Sequence, residues 1–377
     1  MGREEHIVIV GASAAGSTIA QTLRREGFAG ALTVIGDEPH LPYDRPPLSK
    51  QGLLGTWPPD RTRFGASTAY AEQGIDLKLD ARADRLDLDA RQVYLATGEE
   101  VGYDRLVIAT GVQPIQPFQQ ERVHVLRTLD DAVALRESLL QASAVVVIGA
   151  GFLGSETAAA ARQLGCDVTL VDVAQAPMAR QLGAEVGWMV ADLHAANGVR
   201  MVGGTAVRAV HAGAVELADG SQLKADVVLV AVGSKPATAW LEGSGLPLGD
   251  GVLCDEAPEE VRAVGDVARW TSRRFGLSLR LEHRTNATEQ AVWTARDLLA
   301  ASKEPFDSIP YFWTDQYDAK IQVYGVIPPD ARLVITQGSP AARRFVAQYR
   351  SGGRVTAVLG WNMPRETRRE RASLTEI

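Results

Sequence analysis

The sequence predicts an α/β chain: two repeated strand-helix-strand units followed by a small α+β region. Three observations predict it. Apolar, β-branched runs at 6–10 and 145–148 each lead into a glycine-spaced turn and then a proline-free helix. Each helix is followed by a second strand with acid at its end, about 20 residues past the glycines. From residue 305 the composition changes, with Tyr311, Phe312, Trp313, Tyr317 and Tyr324 crowded together before strand-like runs at 333–336, 344–349 and 355–359.

The second unit is the stronger of the two. Gly149, Gly151 and Gly154 form Gly-x-Gly-x-x-Gly behind a strand. In a Rossmann-like domain the first glycine permits the tight turn, the second lets backbone approach a pyrophosphate, and the third lets the helix pack on the strand. The spacing predicts a helix over 155–164, closed by Gly165, whose N-terminal amides would face the phosphates. A strand over 167–171 then ends at Asp172. An acid there accepts a bond from a ribose 2'-hydroxyl and repels a 2'-phosphate, so the expected ligand is NAD(H) rather than NADP(H).

The first unit carries Gly11-Ala-Ser13-Ala-Ala15-Gly16, with serine at the middle glycine, and a helix over 17–25 stopped by Gly27. Serine adds a Cβ where backbone nears pyrophosphate. The strand over 31–35 runs into Gly36-Asp37-Glu38, which places an acid for a second ribose. Two such units in one chain favour two bound dinucleotides over a single domain with a chance glycine turn.

Pro39 to Lys50 is proline-dense and is expected to be extended or turned, ending by presenting Lys50. Strand signals recur at 75–79, 86–88, 93–95 and 106–109, the last closed by Thr110-Gly111. Residues 113–120, with two prolines, read as a crossing, and Asp130 as the cap of a helix reaching Leu140. Helices are expected at 184–196 and 284–299, strands at 207–210, 214–217 and 227–232. The last of these ends in Gly233, while a strand over 261–264 meets Gly265-Asp266, an acid that could equally be a helix cap.

At 377 residues, 46% hydrophobic and 23% charged, the chain has the composition of a soluble globular protein of two or three domains. Neither a membrane span nor a signal peptide is expected, which leaves the cytoplasm as the default. Lysine and arginine number 39 against 46 acids, net −7, which argues against nucleic acid as a partner. Residues 340–377 run the other way. They hold eight arginines against Glu366, Glu370 and Glu376, net +5, which suits an acidic partner or simply a solvated arginine-rich end. Cys166 and Cys254 form no C-x-x-C pair, excluding a dithiol centre, a zinc knuckle and a cysteine-held iron-sulfur cluster, and no metal is expected.

The two units, the Tyr43-Asp-Arg-Pro-Pro-Leu-Ser-Lys50 loop, Ala109-Thr-Gly111, Val264-Gly-Asp266 and Phe312-Trp-Thr-Asp-Gln316 together resemble the FAD-dependent NADH:ferredoxin reductases of bacterial oxygenase systems, end to end. The resemblance implies a glutathione-reductase-like architecture. Residues 1–112 and 234–303 would form an FAD domain, 113–233 an NAD domain and 304–377 a C-terminal domain. It further implies hydride transfer from NADH to FAD, then single electrons to a small [2Fe-2S] ferredoxin feeding a Rieske or haem-thiolate oxygenase. Gly11, Ala15, Gly16, Asp37, Arg45, Ala83, Arg127, Asp266, Arg284 and Trp313 are implied for FAD, with Lys50 beside flavin N5. Gly149, Gly151, Gly154, Glu156, Asp172 and Gly233 are implied for NAD. Lys50 and Glu156 would be the catalytic pair, and the ferredoxin would dock near the basic C-terminal region.

Read without the resemblance, Lys50 could be a surface lysine, Glu156 a helix-start acid favoured by the dipole, and Trp313 a core residue. Three features depart from the family pattern: Ser13 for glycine, Arg284 where tryptophan commonly follows Glu-His, and a short stretch over 254–261. FAD affinity is what they put at stake. Alternative functions are an NADH oxidase or quinone reductase, or a non-catalytic flavoprotein resembling apoptosis-inducing factor.

Overall fold

The computed structural model describes residues 5–300 and 305–374, so the expected boundary at 303/304 and Glu376 lie outside it. The described chain divides into two compact units, Met1–Asp44 with Thr62–Gln113 and Lys235–Pro310, and Arg45–Arg61 with Pro114–Ser234 and Tyr311–Ile377.

The first unit is built on a five-stranded parallel sheet in the order Val261–Ala263, Arg105–Ile108, His6–Val10, Ala31–Ile35, Asp76–Lys78. Strand periodicity explains why these segments are apolar throughout. Ile7 and Ile9 point to one face and pack with helices Ala14–Arg25 and Arg284–Leu298, while Val8 and Val10 point to the other. That second face is covered by the antiparallel strands Ala83–Asp87, Gln92–Leu95 and Glu100–Gly102, through Leu86, Val93, Leu95 and Val101. A polar residue would forfeit ~2 kcal/mol of burial on either face.

The second unit repeats the plan. Its parallel sheet runs Arg200–Gly203, Asp167–Asp172, Ala144–Ile148, Val227–Val230, Val123–His124. Helix Phe152–Gln163 follows the glycine turn, and helix Ala179–Ala196 packs Leu182, Val186, Val190 and Leu193 on a second sheet. This sheet is antiparallel, five-stranded, in the order Tyr311–Gln316, Ala319–Gly325, Arg354–Trp361, Arg344–Ser351, Arg332–Ser339, and helix Pro364–Glu370 follows it. The architecture is therefore the expected one: two Rossmann-like sheets and a C-terminal α+β element.

Several local expectations are corrected. Both glycine helices start three residues early, at Ala14 and Phe152, because the third glycine of each motif sits inside the first turn. Glu156 is thus more than a turn into its helix and is no helix-start acid. The proline segment is turned, one of the two forms expected of it: Pro46–Ser49 is a 3-10 turn with proline at its first positions, where no amide bond is lost, and helix Gln51–Leu54 follows directly. Thr128, not Asp130, caps helix Leu129–Gln141, its hydroxyl accepting the Asp131 amide while the Asp131 carboxylate accepts the Thr128 amide. Helix Ala179–Ala196 begins five residues before its expected start and bends at Gly183, where φ is 79°.

Candidate functional site

Each unit presents a turn shaped for a phosphate. Gly11 (φ 117°) and Gly149 (φ 100°) occupy conformations that L side chains avoid, and a Cβ on either would enter the carbonyl of the neighbouring strand, Ala109 or Ala231. A Cβ on Gly16 or Gly154 would strike the carbonyl of Gly11 or Gly149. Neither helix has an acid in its first turn, so each dipole end keeps its positive character. These cradles fit a dinucleotide pyrophosphate. The middle positions differ from the outer ones: Ser13 and Gly151 have φ of −90° and −74°, which any residue adopts.

Asp172 stands at the end of its strand with Oδ2 accepting the Ala150 amide at 2.5 Å and Oδ1 the Ala174 amide at 2.7 Å. Each oxygen retains lone-pair capacity for a ribose hydroxyl. In the first unit Asp37 is exposed, and Glu38, half-buried, accepts a bond from the Tyr43 hydroxyl. Gly233 has φ of 115° and its carbonyl accepts the Ile115 amide at 3.0 Å.

The densest polar chemistry lies in the second unit. Lys50 Nζ is 2.6 Å from Glu156 Oε2, and the Ser49 hydroxyl donates to the same oxygen at 2.6 Å. The Thr314 hydroxyl donates to Oε1 at 2.8 Å. Glu156 is only 7% exposed, and such a charge is tolerable because a cation and two hydroxyls answer it. The sequence reading missed Ser49 and Thr314; Thr314 lies within the quoted Phe312 to Gln316 segment, and only its alternation with Trp313 hinted that it faces inward. Trp313 is half-buried on the opposite strand face, its ring stacked on Tyr311 at 5.9 Å between centroids.

The remaining expected residues divide between the units. Ala15 is buried and lies against Gly265, whose added Cβ would sit 3.3 Å from the Ala15 Cβ. This brings Asp266, half-buried, to the start of the first glycine helix. Ala83 opens the antiparallel strand Ala83–Asp87. Arg284 opens its helix and is tied to Asp44 at 2.5 Å, bonds Thr288, and lies 5.4 Å from the Phe64 ring centroid. In the second unit Arg45 donates to the Arg127 carbonyl at 2.5 Å, and the Arg127 amide donates to Asp131. Both cysteines are free, Cys166 with its thiol pushed up by burial and Cys254 pushed up to about 12 by the same cause. Neither is a ready thiolate.

Two dinucleotide cradles in one chain, the second with Glu156 on its helix paired to Lys50 of the proline turn, define a two-nucleotide α/β oxidoreductase. The chain belongs to the pyridine nucleotide-disulphide oxidoreductase family, whose model matches residues 5–291, and a reductase C-terminal model matches residues 311–376. It is 36% identical over 375 residues to rhodocoxin reductase of Rhodococcus erythropolis, covering 96% of this chain and 87% of that protein. It is 34% identical to the ferredoxin--NAD(+) reductase component of the biphenyl dioxygenase system of Paraburkholderia xenovorans, covering 96% and 90%. The solved covalent putidaredoxin reductase-putidaredoxin complex matches with a TM-score of 0.93 and 32% identity, over 99% of this chain and 93% of that one.

Proposed function

We propose that the chain is an NADH-dependent FAD flavoprotein that passes single electrons to a small iron-sulfur ferredoxin serving an oxygenase. The observation that carries this reading is the Lys50–Glu156 pair, at 2.6 Å, standing in a segment that contains no cysteine. Bound FAD supplies the exchange between a two-electron donor and a one-electron acceptor.

The chain's own residues supply orientation and charge. Glu156 orients the nicotinamide amide, and Lys50 holds positive charge where negative charge accumulates in a low-dielectric site. Gly149, Gly151 and Gly154 seat the NAD pyrophosphate, with Asp172 on the ribose and Gly233 at the adjoining turn. Gly11, Ala15 and Gly16 seat the FAD pyrophosphate, with Asp37 at its ribose and Asp266, Ala83, Arg45, Arg127 and Arg284 along its length. Trp313 would cover the flavin and lie near the route by which electrons leave. We divide the chain into an FAD domain (1–112 and 234–303), an NAD domain (113–233) and a C-terminal domain (304–377).

Arg344, Arg350, Arg354, Arg365, Arg368, Arg369 and Arg371 are all exposed, and they offer an acidic ferredoxin a basic face. Among the described residues no helix is long and apolar enough to cross a membrane. We place the enzyme in the cytoplasm, where NADH is supplied and two free thiols stay reduced. Turnover with NADH and an added [2Fe-2S] ferredoxin tests the reading. Ferredoxin reduction should be fast at low salt and slow as ionic strength rises. A rate indifferent to salt removes the basic docking face, and NADH oxidation that oxygen or quinone supports as well as ferredoxin does removes the proposed acceptor.

A further inference from the structure

The contacts of Glu156 do not end at Thr314. The strand Tyr311–Gln316 alternates, so Thr314 and Gln316 lie on one face, 1% exposed each. Gln316 Nε2 donates to Thr314 Oγ1 at 3.1 Å and to Met178 Sδ at 3.3 Å, which leaves Gln316 Oε1 as an acceptor. His194 Nε2 is 2.9 Å from that oxygen and must therefore carry the proton. Its Nδ1 is then the acceptor for the Tyr317 hydroxyl at 3.4 Å. Every bond donates the same way: Tyr317 to His194, His194 to Gln316, Gln316 to Thr314, Thr314 to Glu156 Oε1.

We propose that Thr314, Gln316 and His194 are positioning residues, a one-way hydrogen-bond chain that fixes the rotamer of Glu156 and aims its carboxylate at Lys50. The proposal rests on the reading of Glu156 and Lys50 as the reacting pair. It goes beyond that reading because none of the three positioning residues touches a nucleotide in it. The direction of the chain requires a neutral imidazole, since a doubly protonated ring could not accept from Tyr317. Burial supplies this, pushing His194 down to about 4. A neutral donor chain stabilises an anion without adding a second buried cation, so Lys50 remains the cation paired with Glu156. The charges that act on this site's neighbours are Lys50, Lys320 and Glu156 on Asp315, whose carboxyl burial raises, and Arg162 on Tyr317.

Thr314→Val, Thr314→Ser and Gln316→Leu in the FAD-loaded enzyme test the chain. The Glu156 carboxyl carbon, assigned by Glu156→Gln, is followed by carbon-detected NMR at fixed pH beside stopped-flow flavin reduction by NADH. Losing the bond to Oε1 frees the carboxylate to turn away from Lys50, so Thr314→Val should shift and broaden the Glu156 resonance and slow flavin reduction about tenfold. Thr314→Ser, which keeps the hydroxyl, should restore both, and Gln316→Leu should change both less and in the same direction. A Glu156 resonance unmoved in Thr314→Val and Gln316→Leu overturns the chain. If the resonance moves while the reduction rate stays, the chain stands and the catalytic role of Glu156 fails instead. Should Thr314→Val not fold, Gln316→Leu decides by the same two readouts.

Discussion

The two glycine units share their backbone bonds and part company in their side chains. In each, the first glycine's amide donates to a carbonyl near the end of the second strand at 2.7 Å, Gly11 to Ile35 and Gly149 to Val171. In each, a serine one position past the third glycine bonds back to the turn, Ser17 to the Ala12 carbonyl and Ser155 to the Ala150 carbonyl, both at 3.3 Å. The next position holds Thr18 in one and Glu156 in the other. After the second strand, Gly36 stands where the second unit has Asp172. A Cβ on Gly36 would come 2.7 Å from the Ala12 Cβ, whereas the Asp172 carboxylate draws in the amide of Ala150. The backbone turn is what a pyrophosphate requires, and it is common to both. The carboxylates at these two positions, Glu156 and Asp172, are present only in the second unit; the first places its acid one residue later, at Asp37.

The largest expected effects therefore fall on the carboxylate without a counterpart. Glu156→Ala and Lys50→Met should each slow stopped-flow flavin reduction by NADH on the order of a hundredfold, the scale for removing one preorganised charge from a reaction site. Each also strands a buried partner and should lower stability, which thermal unfolding would read separately. Unchanged reductive half-reactions in both variants would reduce Glu156 to a structural equivalent of Thr18. A smaller change is expected at Asp172. Asp172→Ser removes the charge that repels a 2'-phosphate, and the ratio of kcat/KM for NADH over NADPH should fall about tenfold. Strong NADPH use by the unaltered protein would instead mean that Asp172 serves only to pin the Ala150 amide.

Much of this comparison was legible in the sequence, because strand, glycine spacing and terminal acid are local signals. The Rossmann-like repeats and the C-terminal α+β region followed from periodicity and composition, while the order of strands in each sheet did not. The helix starts were misjudged because glycine is a poor helix former, whereas Gly16 and Gly154 are inside their helices for a packing reason that outweighs propensity. The environment of Glu156 was not legible. Ser49 reaches it across 107 positions and Thr314 across 158, and no local pattern encodes such a meeting. Arg284 was recognisable as a departure from the family pattern, yet its partner Asp44 is 240 residues away.

Two smaller predictions probe the first unit's own residues, Gly36 in place of Asp172 and Ser13 in place of Gly151. Gly36→Asp would force a side chain onto Ala12, and overpacking of this kind costs about 2 kcal/mol, visible as a lowered thermal midpoint with weakened FAD retention. A tolerated substitution would mean that the turn can move aside, and that position 36 is glycine for the sake of the ligand rather than of the fold. The smallest effect belongs to Ser13, the serine at the middle of the first motif. Its φ of −90° carries no strain, and Gly151 in the second unit is equally unstrained at −74°. Ser13→Gly should therefore relieve nothing and loosen the unfolded chain, costing about 0.5 kcal/mol and leaving FAD retention on gel filtration unchanged. Markedly slower FAD loss from Ser13→Gly would place the serine Cβ against the pyrophosphate. The middle glycine would then be a requirement of the ligand in both units, and Ser13 a concession in binding strength rather than a neutral replacement.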